Sequence, residues 1–309
     1  MSRSRTRKTL SQNFLIDPRV ARMLVAESAV TSRDLVLEVG PGAGMLTRQL
    51  LTVSRRVLAY EKDPHYAARL RRHYADDDRI RCYHRDFREV TAPGEPFSVV
   101  ANIPFAIGTD IVRWCLAAPR LRSATLLTQS EFARKHSGDY GRWSKLSITH
   151  WPWTEPSLGP WVSRTAFHPR PAVDAAVLRL RRRPEPLLPQ RFRTEYQQLV
   201  ELGFSGVGGS LAASLRRAHP AGAVRGACAA AGISRDLTVG LVPPGAWLRI
   251  FDHLIPEAAH RARTDPRPPP RRAALGSHPW RRQSRFGPHW TSNPMRSRPC
   301  STGSRSGTT

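Results

Sequence analysis

Asn102-Ile103-Pro104-Phe105 brings an amide, a main-chain carbonyl, a rigid turn and an aromatic face together within four residues. The apolar run Phe97 to Ala101 precedes them and reads as a short buried strand. Pro104 ends that strand, because it has no N–H to offer a ladder. In open α/β sheets, ligands bind at the carboxyl ends of strands. Two oxygen acceptors beside a ring suit a planar base that carries an amine: the oxygens accept hydrogen bonds from the amine and the base stacks on Phe105. Read in isolation, the same four residues also describe a strand-ending turn with a core phenylalanine.

Other chemistry-bearing residues lie upstream. Leu35 to Val39 is apolar except for Glu38, as expected of a strand buried in a parallel sheet, and runs into Gly40-Pro41-Gly42-Ala43-Gly44. Glycine at 40, 42 and 44 lets the backbone approach a ligand closely. Glu61 closes the next strand, Val57 to Tyr60, and Asp86 lies near the end of Ile80 to His84. An acid ending the second strand suits ribose hydroxyls. The third glycine comes one residue earlier than in the dinucleotide fingerprint G-x-G-x-x-G, which argues for a different ligand.

These residues need a frame, and the sequence predicts one. Helices over Asp17 to Ala29, Met45 to Thr52, Pro64 to Tyr74 and Gly108 to Leu116 alternate with the strands above and with Ala124 to Thr128. The βαβαβ pattern predicts an α/β catalytic domain over 1–183, with a basic, flexible arm at 1–12 and closing strands at 161–166 and 172–181. Residues 129–150 carry Arg134, Lys135 and Arg142 around a glycine turn and read equally as a solvated loop or a nucleic-acid groove. Phe167 reads as core or as a second stacking face. Prolines 184, 186 and 189 mark a linker into a small helical domain over 190–255, where Arg216 and Arg217 are candidate phosphate contacts. Residues 257–309 hold 11 arginines against two acids and are expected to be disordered.

The formal net charge of +25 favours a polyanionic partner, nucleic acid ahead of membrane. Cys82, Cys115, Cys228 and Cys300 stand alone, so neither a zinc site nor a disulfide framework is predicted, and dispersed thiols fit a cytoplasmic location. No apolar segment follows the basic amino terminus, and no window is long enough for a membrane span.

Gln12-Asn13-Phe14-Leu15, Leu37 to Gly44, Glu61, Asp86, Asn102 to Phe105 and Phe167-His168-Pro169-Arg170-Pro171, in this order, resemble the rRNA adenine N6-methyltransferases, which include the Erm and KsgA-type enzymes. Ile103 and the Phe167 to Pro171 segment look more like Erm, since KsgA-type enzymes typically carry Asn-Leu-Pro-Tyr. The resemblance implies a Rossmann-like methyltransferase domain with a helical appendage, acting as a monomer without a metal. It implies S-adenosylmethionine as cofactor, held by Asn13, Leu15, Gly40, Gly42, Glu61, Asp86 and Asn102, with the last also catalytic beside Ile103, Pro104 and Phe105. It further implies methylation of one adenine in 23S rRNA, as protein-free or immature large-subunit RNA, and macrolide-lincosamide-streptogramin B resistance. A KsgA-type enzyme acting on small-subunit rRNA shares the chemistry and is the nearest alternative. The intact glycine loop, Glu61, Asp86 and Asn102 speak against a non-catalytic RNA-binding relative. A DNA adenine methyltransferase would normally add a larger recognition domain.

Overall fold

The computed structural model describes residues 13–206 and 209–255. Gln12, the basic arm at 1–12 and the tail at 257–309 lie outside the described residues. The described chain enters through β1 (Phe14–Leu15) and α1 (Pro18–Ser28). Asp17 caps α1 by accepting from the Arg19 N–H, and Pro18 occupies the first turn, where a missing N–H costs nothing. The βαβ units then follow as β2 (Leu35–Val39), α2 (Met45–Leu50), β3 (Arg56–Glu61), α3 (Pro64–His73), β4 (Ile80–His84), β5 (Phe97–Asn102), α4 (Gly108–Ala117) and β6 (Leu121–Gln129).

Beyond β6 the chain forms α5 (Ser130–Ser137), α6 (Lys145–His150), β7 (Thr154–Val162), β8 (Phe167–His168) and β9 (Ala175–Arg182). The main sheet runs β4-β3-β2-β5-β6-β9-β7, parallel through β6, with β9 antiparallel to both its neighbours. Strand order reverses between β2 and β5, so the loops leaving their carboxyl ends diverge and open a crevice.

All five residues of β2 are buried. Leu35, Leu37 and Val39 face one hydrophobic cluster and Val36 the other, which is why the run is apolar without alternation. The closing strands differ from expectation. β7 starts at Thr154 and ends at Val162, and Arg164–Ala166 is a 3₁₀ turn instead of strand. Pro156 and Pro160 lie within β7, and its register slips between Leu158 and Trp161. An edge strand tolerates such prolines because one of its sides needs no donors.

The helices α7 (Arg193–Gly203), α8 (Leu211–Leu215), α9 (Ala221–Ala231) and α10 (Pro244–Leu254) close around Tyr196, Leu215, Cys228, Trp247 and Phe251. Ile148 of α6 and Trp153 also enter this core, and the Tyr196 hydroxyl donates to the Ile148 carbonyl at 3.2 Å. These helices belong to the same compact unit as the sheet.

Candidate active site

At the reversal between β2 and β5 lies a cavity of about 240 Å³. Its wall is assembled from β1, the loop after β2 and the carboxyl ends of β3, β4 and β5. Asn13, Leu15, Gly40, Glu61 and Asp86 all line it, as do Asn102, Ile103, Pro104 and Phe105. Gly42 is not on this wall, and the other named residues reach the one crevice from elements far apart in the chain.

Gly40, Gly42 and Gly44 adopt φ of 65°, 55° and 85°, a region glycine enters freely. Gly42 is constrained twice over, because a Cβ there would stand 2.8 Å from the Phe14 ring. Its N–H donates to Glu61 Oε2 at 2.9 Å, and the Asp63 N–H donates to Oε1 at 2.8 Å. Burial raises the Glu61 pKa, and the two main-chain donors pull it back. Each carboxylate oxygen has capacity for a further bond, so Glu61 both fixes the loop and can accept from a diol. Glu61 therefore welds loop to strand.

Asp86 sits in a basic bracket. It accepts from Lys62 Nζ at 2.9 Å and from Arg88 Nη2 at 2.6 Å. The Arg88 guanidinium, seconded by Lys62, holds its carboxyl well below the usual carboxylate range. Asp86 is therefore ionised and mostly shielded, and a ligand amine reaching it competes with two half-exposed cations. Sequence reading missed both partners, because adjacency to Glu61 and Asp86 does not say which carboxylate Lys62 and Arg88 meet.

The Asn102 Nδ2 group donates to the Asn13 main-chain carbonyl at 3.0 Å. Its donor half is thereby fixed, and Oδ1 has no hydrogen-bond partner among the described residues. Asn13 is itself held in place because β1 pairs with β8, Phe14 opposite His168 and Leu15 opposite Phe167. Phe167 is 2% exposed and belongs to the core beneath. This corrects one expectation: Phe167 cannot offer a stacking face to a base, and its role is to anchor the strand that orients Asn102. The Ile103 side chain is also buried, and its N–H donates to the Leu127 carbonyl at 3.0 Å, locking the turn to β6. Pro104 starts a 3₁₀ turn over Phe105–Ile107, which leaves the Phe105 ring half-exposed on the crevice wall.

Glu38 was read as a break in a strand, yet it lines the same cavity. It is 1% exposed, accepts from the Thr47 hydroxyl at 2.7 Å, and burial pushes its pKa up to about 8. Near pH 7 it is mainly a neutral acid. A pKa raised on folding means that its stabilising contribution is full below the ordinary carboxylate range and is lost as pH rises toward 8. Glu38→Gln keeps an acceptor for Thr47 and removes the ionisation. From about pH 5 to about pH 8, wild-type Tm should fall relative to the variant by on the order of 5 °C. Parallel Tm–pH curves would show that Glu38 is not held neutral.

The basic residues predicted to touch RNA do not gather in the crevice. Arg134 on α5 pairs with Asp139, whereas Lys135 and Arg142 are exposed. The neighbouring Trp143 packs against the helical core, and its N–H donates to the Gly240 carbonyl at 2.8 Å, so it is structural. Arg216 and Arg217 are exposed just after α8. Among the described residues, no group of three His, Cys, Asp or Glu is placed to hold a metal, and no helix is long and apolar enough to cross a membrane.

A family model described as ribosomal RNA adenine dimethylase matches residues 3–255. The chain is 48% identical to an rRNA methyltransferase of Streptomyces thermotolerans, over 81% of this chain and 84% of that one. It is 37% identical to the mycinamicin-resistance protein MyrB of Micromonospora griseorubida, covering 69% and 68% respectively. The crystal structure of the 23S rRNA methyltransferase ErmE superposes with a TM-score of 0.74 at 43% identity, covering 78% of this chain and 99% of that chain.

Proposed function

We propose, from the premise that this chain belongs to the ribosomal RNA adenine dimethylase family, that it methylates the exocyclic amine of one adenine in 23S rRNA. The observation that carries this reading is the orientation of Asn102. With Nδ2 tied to the Asn13 carbonyl, Oδ1 is the end available to an amine, at a strand end beside Phe105.

The crevice fits S-adenosylmethionine: a glycine-rich loop, a buried carboxylate at the end of β3 and an ionised Asp86 suit an amino acid joined to a nucleoside. Asn13, Leu15, Gly40, Gly42, Glu61, Asp86 and Asn102 would hold it, with Glu61 on the ribose hydroxyls and Asp86 on the adenine amine. When bound, the cofactor supplies a methyl group on an electrophilic sulfonium.

The protein's own task is to make a poor nucleophile competent. The lone pair of an adenine amine is delocalised into the ring. Asn102 Oδ1 and the Ile103 carbonyl accept the two amine protons, which turns the lone pair out of conjugation and stabilises the charge that develops on nitrogen. Phe105 stacks on the flipped-out base and holds it in line. Asn102 and its neighbours include no tuned general base, and the released proton leaves to water.

Methylation at such a site in 23S rRNA would block macrolide, lincosamide and streptogramin B binding, in keeping with the similarity to a mycinamicin-resistance protein. Expressing the chain in a macrolide-sensitive bacterium should confer resistance to all three classes. Continued sensitivity, with 23S rRNA unmodified, would refute the reading.

A further inference from the structure

The helical region carries an arginine-lined cleft that the catalytic crevice does not explain. Between α8, α9 and the turn after α9 lies a cleft of about 270 Å³, lined by Arg216, Arg225 and Arg235. Asp236 is its one acid, and none of the three arginines forms an ion pair among the described residues. Some surface arginines are matched, as Arg55 with Glu95, Arg79 with Asp77 and Arg122 with Asp34, whereas here three without an ion pair line one cleft. Three guanidiniums around one hollow repel one another, and an anion entering it relieves that repulsion.

We propose that this cleft grips a backbone phosphate of the RNA substrate, away from the methyl-transfer crevice; this rests on rRNA being the substrate. Guanidinium forks match the geometry of phosphate oxygens and bond them in pairs. The lining contains no aromatic ring, so a base would find no stacking face, whereas a phosphodiester needs none. Small residues such as Ala213 keep the hollow open between the arginines. The site anchors without reading sequence. Of the two arginines singled out by sequence in the helical region, Arg216 lines the cleft and Arg217 is not part of its wall.

The test is full-length Arg225→Gln/Arg235→Gln, assayed by filter binding to a protein-free 23S rRNA fragment across a salt series. Each lost phosphate contact lowers the slope of log K against log salt by about 0.7–0.9, so the double variant, which gives up the one phosphate in the cleft, should lose about 0.7–0.9. Its KM for RNA should rise about tenfold with kcat unchanged, and the Lys/Lys variant should keep most of the slope. Ala213→Glu, which places a carboxylate in the cleft and leaves every arginine in place, should weaken binding in the same direction. Wild-type affinity and slope in both the Gln/Gln and Ala213→Glu proteins, folded as judged by Tm, would overturn the cleft. Failure of the methyltransferase reading would show separately, as no methyl incorporation into 23S rRNA by the wild type.

Discussion

Asn102→Ala is expected to lower kcat for methyl transfer about 10²–10³-fold, the range seen when one preorganised partner of developing charge is removed. The substitution deletes the acceptor aimed at the amine and also the bond from Nδ2 to the Asn13 carbonyl. RNA affinity should change little, because phosphate contacts dominate it. Asn102→Asp is a sharper probe. It keeps an acceptor of nearly the same shape but sets a carboxylate oxygen against the Asn13 carbonyl, so it should turn the group or displace β1. Turnover within a few-fold of wild type for Asn102→Ala would remove Asn102 from the chemistry.

The second large effect is expected at Phe105. A base stacked on an aromatic ring gains about 1–3 kcal/mol, so Phe105→Ala should lose roughly 5- to 150-fold in kcat/KM, and Phe105→Tyr should lose little. The 3₁₀ turn that presents the ring rests on the Ile107 N–H donating to the Pro104 carbonyl at 3.1 Å, a main-chain bond both variants retain. A difference between Ala and Tyr therefore reports the ring. Equal loss in both would mean that bulk or turn geometry matters instead.

What the sequence revealed follows from how local each signal is. β2 and its glycine loop were legible because an unbroken apolar run and a series of glycines are dictated by their own backbone, as were the Asp17 cap and Pro18 of α1. Glu61 and Asp86 were legible as acids at strand ends, but their surroundings were not. No spacing rule foretells that Glu61 spends a bond on the Gly42 N–H or that Asp86 is bracketed by Lys62 and Arg88. Glu38 was invisible as a neutral acid because its state depends on burial beneath the loop, which outweighs the opposing bond from Thr47, nine residues away. Phe167 was ambiguous because an aromatic beside prolines suits a core and a rim equally, and only pairing with β1 decides between them. The start of β7 was hidden by Pro156 and Pro160, which propensity penalises and an edge position allows.

The proposed function rests on one adenine amine being presented to Asn102 and Phe105. The direct measurement incubates purified protein with S-adenosylmethionine bearing an isotopic methyl group and protein-free 23S and 16S rRNA, then locates the label by mass spectrometry of nuclease digests. Label on N6 of a single adenine in 23S rRNA, lost in Asn102→Ala, is the expected result. Label confined to 16S rRNA, or absent from both RNAs, would contradict it.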